Sequence, residues 1–205
     1  MPTDKAIAEH LTGQWQIPLC SSFCKAPANF IKNFFCPCCV AYMHRKQLLA
    51  ITNEPYVCCG GMIDCGPCKK PCNPRCLFLE VFCCMQFAIA GNRFMIQTRF
   101  DRQNTPCDSF ILWCTAVVSC INCIVQTVSD QDCSELQAVV DLLICSVNAC
   151  MQTQHEYEIR HINETGYHGA PQFVIVLLPA EQQRYVMVGA PLQQRMTPIG
   201  QSIYN

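Results

Sequence analysis

The order of apolar and polar positions divides the chain unevenly. Residues 77–90 are apolar except for Glu80 and Gln86, and residues 110–128 are apolar except for Thr127 and the four positions Thr115, Ser119, Asn122 and Gln126. Those last four positions step by four, three and four, so a helix gathers them into one narrow polar stripe on a greasy cylinder. A third stretch carries Leu136, Val139, Val140, Leu143, Ile144 and Val147 at the spacing of one helix face, with Ser134 and Gln137 placed as a capping box. The pattern therefore predicts three helices here. Upstream, residues 30–76 hold Pro37, Pro55, Pro67, Pro71 and Pro74 with Gly60, Gly61 and Gly66, a density that predicts turns in place of long helices. Residues 152–205 are rich in Gln and Pro, and their two short apolar runs, 173–178 and 185–188, are strand-like in composition.

The expected organisation is an N-terminal segment (1–29), a cysteine-rich domain (30–128), an amphipathic helix (129–151) and a Gln/Pro-containing tail (152–205). The expected fold is small, irregular, cysteine-rich and mainly α. A turn-rich, zinc-stabilised segment precedes about three helices, and the tail is partly extended or disordered. At 1.5 Å per residue the second helix reaches roughly 28 Å, close to the ~30 Å thickness of a bilayer core. The first reaches only about 21 Å and carries Glu80.

Composition strengthens the membrane reading. Charged residues make up 14% of the 205, against roughly 25% in ordinary soluble domains. Net charge is −1 and no basic stripe stands out, which speaks against a nucleic-acid partner. A greasy, weakly charged chain points to membrane lipid, membrane proteins, a homo-oligomer or a larger protein assembly.

The 20 cysteines then need a compartment. The first twenty residues contain Asp4, Lys5, Glu9 and His10 and lack an apolar core, so no cleavable leader is expected and the N-terminus is placed in the cytosol. Thiols there stay reduced and no disulfide framework is expected. Reduced, clustered thiols suit metal. Cys36, Cys38 and Cys39 form one knot; Cys58, Cys59, Cys65, Cys68, Cys72 and Cys76 form a longer one, within which Cys65 and Cys68 have zinc-knuckle spacing. Zinc takes four N or S ligands tetrahedrally, and such loops present them, so structural zinc is the expected cofactor. His44 is the one histidine near a knot; His155, His161 and His168 read as solvated. Cys120, Cys123, Cys145 and Cys150 sit in helical patterns and read as packing residues. Cys65-Gly66-Pro67-Cys68 is also a redox tetrapeptide, but no βαβ pattern surrounds it. With no paired carboxylates, Ser-His-Asp set or phosphate loop, the chain reads as a non-enzyme.

Phe35-Cys36-Pro37-Cys38-Cys39-Val40-Ala41, then Cys76-Leu77 and Cys83-Cys84, then Asn92-Arg93-Phe94 through Gln97-Thr98-Arg99, then Pro106-Cys107-Asp108 and Cys114 occur in that order. This succession resembles the placenta-specific-gene-eight cysteine-rich family, the group of onzin, cornifelin, plant cell-number regulators and plant cadmium-resistance proteins. The resemblance covers roughly residues 30–128; the second cysteine run is longer here than in the family. It implies a membrane-associated protein acting in growth control or divalent-metal handling, without a catalytic mechanism. Three functions follow as expectations: a zinc-stabilised membrane-associated scaffold or regulator, a divalent-metal transport or resistance protein using the polar stripe and Glu80, or a soluble structural component of a large intracellular assembly.

Overall fold

Proline starts helices in this chain more often than it stops them. Pro27 and Pro37 each stand in the first turn of a helix, where the missing N–H is no loss and the fixed φ is already helical. The computed structural model describes residues 2–63, 70–128 and 134–189. Among them are ten α-helices and no strand, apart from two isolated bridges. Helix α1 is Pro2–His10, α2 Ser22–Lys25, α3 Pro27–Phe35, α4 Pro37–Thr52, α5 Cys76–Cys83 and α6 Met85–Phe100. Then come α7 Pro106–Val128, α8 Ser134–Thr165, α9 Gln172–Leu177 and α10 Ala180–Gly189.

The turn-rich segment expected over residues 30–76 is corrected over its first half. Helix α4 runs for 16 residues straight out of Pro37 and buries Val40, Ala41, His44, Arg45 and Leu48. The predicted helix over 77–90 also differs: it breaks at Cys84, bends by 114° and continues as α6 to Phe100. The third predicted helix runs beyond residue 151 to Thr165, and this changes the environment of His155, which is fully buried where the sequence suggested solvation.

The tail is corrected too. Both strand-like runs are helical, in α9 and α10. Runs this short fit either period, and the packing partner decides. Here the partner is α1: Ile7 and Leu11 pack with Ala170, Val174, Ile175, Leu178 and Val186. Residues 190–205, for which an extended or disordered state was expected, lie outside the described residues.

The main core gathers Ala41, Leu77, Val81, Ala88, Ile89, Val147 and Met151 from α4, α5, α6 and α8. A strap between α1 and α2 crosses it, pinned by polar groups. Leu19 N–H donates to Asp108 Oδ1 (3.1 Å), Gln154 Nε2 donates to the Ile17 carbonyl (2.9 Å), and Gln16 N–H donates to Glu158. Cys20 at the end of this strap is joined by a disulfide to Cys107 at the start of α7. That pair amends the expectation of wholly reduced thiols: the two cysteines lie 87 positions apart, and the neighbouring Leu19–Asp108 bond ties the same two segments.

Candidate functional site

Where α4, α5 and α6 meet, a charged residue from each of the first two is buried in an apolar core. Arg45 and Glu80 are 1% and 6% exposed. Arg45 Nη2 donates to Glu80 Oε1 (3.3 Å) and to the Ala88 carbonyl (3.2 Å), its Nε donates to Asn92 Oδ1, and Asn92 Nδ2 donates to the Ala41 carbonyl (2.9 Å). Burial pulls the Arg45 pKa down from its ordinary value, and Glu80 opposes that pull. Glu80 Oε2 accepts from the Tyr56 hydroxyl (2.6 Å) and from the Cys59 N–H (2.9 Å). Burial and this bond push the Tyr56 phenol far up, so it stays a donor.

Glu80 thereby shapes the turn that carries Cys58 and Cys59. Cys59, Gly60 and Gly61 all have positive φ (52°, 62° and 78°). A non-glycine residue there is strained, and the Glu80 bond to its N–H helps hold it. Gly60 meets Gly91 of α6 backbone to backbone: a Cβ on Gly91 would fall 2.6 Å from the Cys59 carbonyl atoms. The turn brings the two sulfurs within 3.8 Å. Two thiolates each about 2.3 Å from a tetrahedral zinc lie roughly 3.8 Å apart. The two Sγ atoms and a Glu80 oxygen all lie within 4.8 Å of one another, the one group of three or more metal-type donors so close among the described residues. Cys58, Cys59 and Glu80 could together hold a metal ion.

The remaining cysteines expected as zinc ligands are dispersed. Cys36 and Cys39 are exposed, and Cys38 is half-buried with its Sγ 3.4 Å from Met85 Sδ. Burial and the neighbouring Cys39 push the Cys38 thiol up. Cys72 is half-buried, its N–H on the Tyr56 carbonyl, and Cys76 is exposed at the start of α5. Cys65 and Cys68, with the redox tetrapeptide they bound, lie outside the described residues. Cys145 and Cys150 are half-buried as packing residues would be, whereas Cys120 and Cys123 are exposed. His44 is 3% exposed and faces His155, ring centres 6.1 Å apart, away from the sulfur pair.

No relative is found. Comparison with models of known protein families, with curated proteins and with solved structures gives no match to this chain.

A second feature stands out beside the sulfur pair. Two helices, α7 and α8, are long and apolar enough to cross a membrane. Phe110 (64% exposed), Trp113, Ile121 and Ile124 project from α7, and Leu136, Val139, Leu142 and Leu143 from the first half of α8. Of the polar stripe, Asn122 is buried, Thr115 and Ser119 are half-buried, and Gln126 is exposed. Asn122 Nδ2 donates to Gln137 Oε1 (2.7 Å), and Gln137 Nε2 donates to Asp141 Oδ1 (2.7 Å). Thr115 and Ser119 donate to the carbonyls of Ile111 and Thr115 on their own helix. The two helices thus form a hairpin closed by side-chain amides and greasy outside. Its root is charged and buried: Arg93 lies 3.8 Å from Asp108, donates to Gln154 (2.7 Å) and stacks 4.4 Å over Trp15, while Arg102 pairs with Glu158 (2.8 Å). The sequence offered Arg93 and Asp108 only as motif members; their partnership across α6 and α7 needed the fold.

Proposed function

We propose that this protein is a non-enzymatic, zinc-stabilised, membrane-associated scaffold or regulator of the placenta-specific-gene-eight type, with its N-terminus in the cytosol. The observation that carries the membrane part is the α7–α8 hairpin. An apolar surface of this extent is rare on a free soluble protein, and here it surrounds a seam in which Asn122 bonds Gln137 across the two helices. From residue 110 to 128 the helix rises about 28 Å, the depth of a bilayer core.

Zinc is supported by the spacing and kind of the donors, two cysteine sulfurs 3.8 Å apart beside a Glu80 oxygen. A thiolate pair favours zinc over oxygen-seeking magnesium or calcium. The transport reading receives less support, because Glu80, the carboxylate it relies on, lies in α5 outside the α7–α8 hairpin, and Asn122 of the stripe is engaged by Gln137. The scaffold role accords with carboxylates that each hold an arginine, Glu54 on Arg99 among them (2.9 Å).

Metal content of the purified full chain tests the zinc part. We expect close to one equivalent under reducing conditions, lost in the variant Cys58→Ser with Cys59→Ser. Zinc-free protein, or zinc unchanged in that variant, would remove the metal from this reading. Carbonate extraction of expressing cells tests the membrane part: the chain should stay in the pellet, and release into the supernatant would favour the soluble-assembly alternative.

A further inference from the structure

Two helix breaks in this chain are built alike, and both are made by cysteine. Cys36 separates α3 from α4 with φ −127° and ψ 51°; Cys84 separates α5 from α6 with φ −134° and ψ 48°. Each closes the helix before it through its own N–H, on the carbonyls of Lys32 and Glu80, and opens the next through its carbonyl, which accepts from Val40 and Ala88. The breaks are neighbours in space, since Cys38 Sγ touches Met85 Sδ at 3.4 Å. Flanking that contact along the chain are Cys36, Cys39, Cys83 and Cys84, all exposed. Phe35 (75% exposed), Phe78, Phe82 and Phe87 are exposed in the same two segments.

The place of this double vertex matters. Cys38 and Met85 pack against the same core cluster as Ile111 and Leu112 of α7 and Val147 of α8. Gln86 and Ala90 line a cleft of about 680 Å³ shared with Leu112, Thr115 and Ala116. The vertex therefore packs beside the apolar hairpin, and a chain inserted by that hairpin would bring these thiols to the bilayer. Exposed aromatics in the same segments suit its interface. Exposed thiols beside a membrane segment are the substrate pattern of S-acylation. Nor do these four thiols belong to any preformed group of metal donors among the described residues.

We propose that Cys36, Cys39, Cys83 and Cys84 form an S-acylation site that takes fatty-acyl groups from acyl-coenzyme A, transferred by a membrane acyltransferase. A cysteine thiolate attacks the thioester carbonyl, the new sulfur–acyl bond forms as the old one breaks, and coenzyme A leaves as its thiol after taking up the proton. Each acyl chain adds buried methylenes, and several chains around one vertex would hold the α3–α6 body flat on the leaflet that the hairpin enters. The proposal rests on the membrane reading above, and it names a modification that reading does not require.

The test uses the full chain in cells fed an alkyne-tagged fatty acid, scored for hydroxylamine-labile label, carbonate pelleting and zinc content. The unaltered chain should carry label. Replacing all four cysteines by serine should reduce it to background with pelleting and zinc retained, while Cys120→Ser with Cys123→Ser should leave it in place. A chain that pellets yet carries no labile acyl group would overturn the acylation proposal alone. Label that survives the four-serine variant would place it elsewhere, and loss of zinc from that variant would return these thiols to metal binding; both outcomes also overturn it. A chain that neither pellets nor takes label would take the membrane reading down as well.

Discussion

Arg45 shows how much one buried charge asks of its neighbours. It spends every visible donor inside the core, on Glu80, Asn92, Ala88 and Val57. A buried pair contributes little net stability, but breaking it is costly, because the survivor is left charged and dry. Glu80→Gln should therefore destabilise the chain by about 3–5 kcal/mol, read as a fall in denaturant midpoint, whereas Arg45→Met with Glu80→Leu should cost less than the single change. His44 makes the opposite case, a group kept uncharged. Buried beside His155 of α8 and Lys32 of α3, and lining a pocket with the Lys32 partner Glu156, it has its pKa lowered from 6.5 to about 3, by burial first and Lys32 second. The folded-state pKa lies below the unfolded one, so the unfolded chain takes up the proton first. Its contribution is complete above about pH 6.5 and declines toward pH 3 by up to roughly 1.4 kcal/mol per pH unit. Thermal melts between pH 7 and 4 should show this slope, and His44→Gln should flatten it.

At the scale of elements, what was legible depended on whether a signal was local. Helix α7 could be read directly from its apolar run, and Asn122 of its stripe marks the face that meets α8, although Gln126 at the end of the stripe is exposed. Helix α4 could not, since the rule that proline breaks helices hides the case of a proline in the first turn, as with Pro37. The pairing of Cys58 with Cys59 was visible in the sequence; the third donor, Glu80, is 21 positions from Cys59 and became part of the group only when α5 packed on the turn. Gly91 likewise carried no readable signal. Its Cα lies against the Cys59 carbonyl, so Gly91→Ala has nowhere to put a methyl group and should push the Cys58–Cys59 turn away from α6. We expect a loss of about 1–3 kcal/mol together with weaker zinc retention. The amide seam gives a matching prediction. Asn122→Leu strips Gln137 of its partner across the hairpin and should cost about 1–3 kcal/mol, with cellular metal content following protein abundance. Metal flux lost at unchanged abundance and stability would restore the transport reading.

For the whole molecule the question is how far the hairpin goes in. The body keeps its ionic pairs at one end of α7 and α8: Asp108 with Arg93, Glu158 with Arg102, Glu156 with Lys32. The apolar projections begin at Phe110 on the outgoing helix and end near Leu143 on the returning one. Everything charged and buried thus belongs to one side, and only the segment joining Val128 to Ser134 remains to be carried across. That segment includes Asp130 and Asp132, whose transfer costs energy once, at insertion, and nothing after they reach water on the far side. A hairpin that crosses fully, entered from the cytosolic side as proposed, leaves α6 and the C-terminal end of α8 on that same side. The acceptor sequence Asn163-Glu164-Thr165, at the C-terminal end of α8, should then stay unglycosylated. A new acceptor sequence placed between Val128 and Ser134 should acquire a glycosidase-sensitive mobility shift in the same cells. If neither site is modified while the chain still resists carbonate, the hairpin lies within one leaflet; modification at Asn163 would invert the orientation. The 28 Å rise of the outgoing helix and the Asn122–Gln137 bond that ties it to the returning one both favour the full crossing.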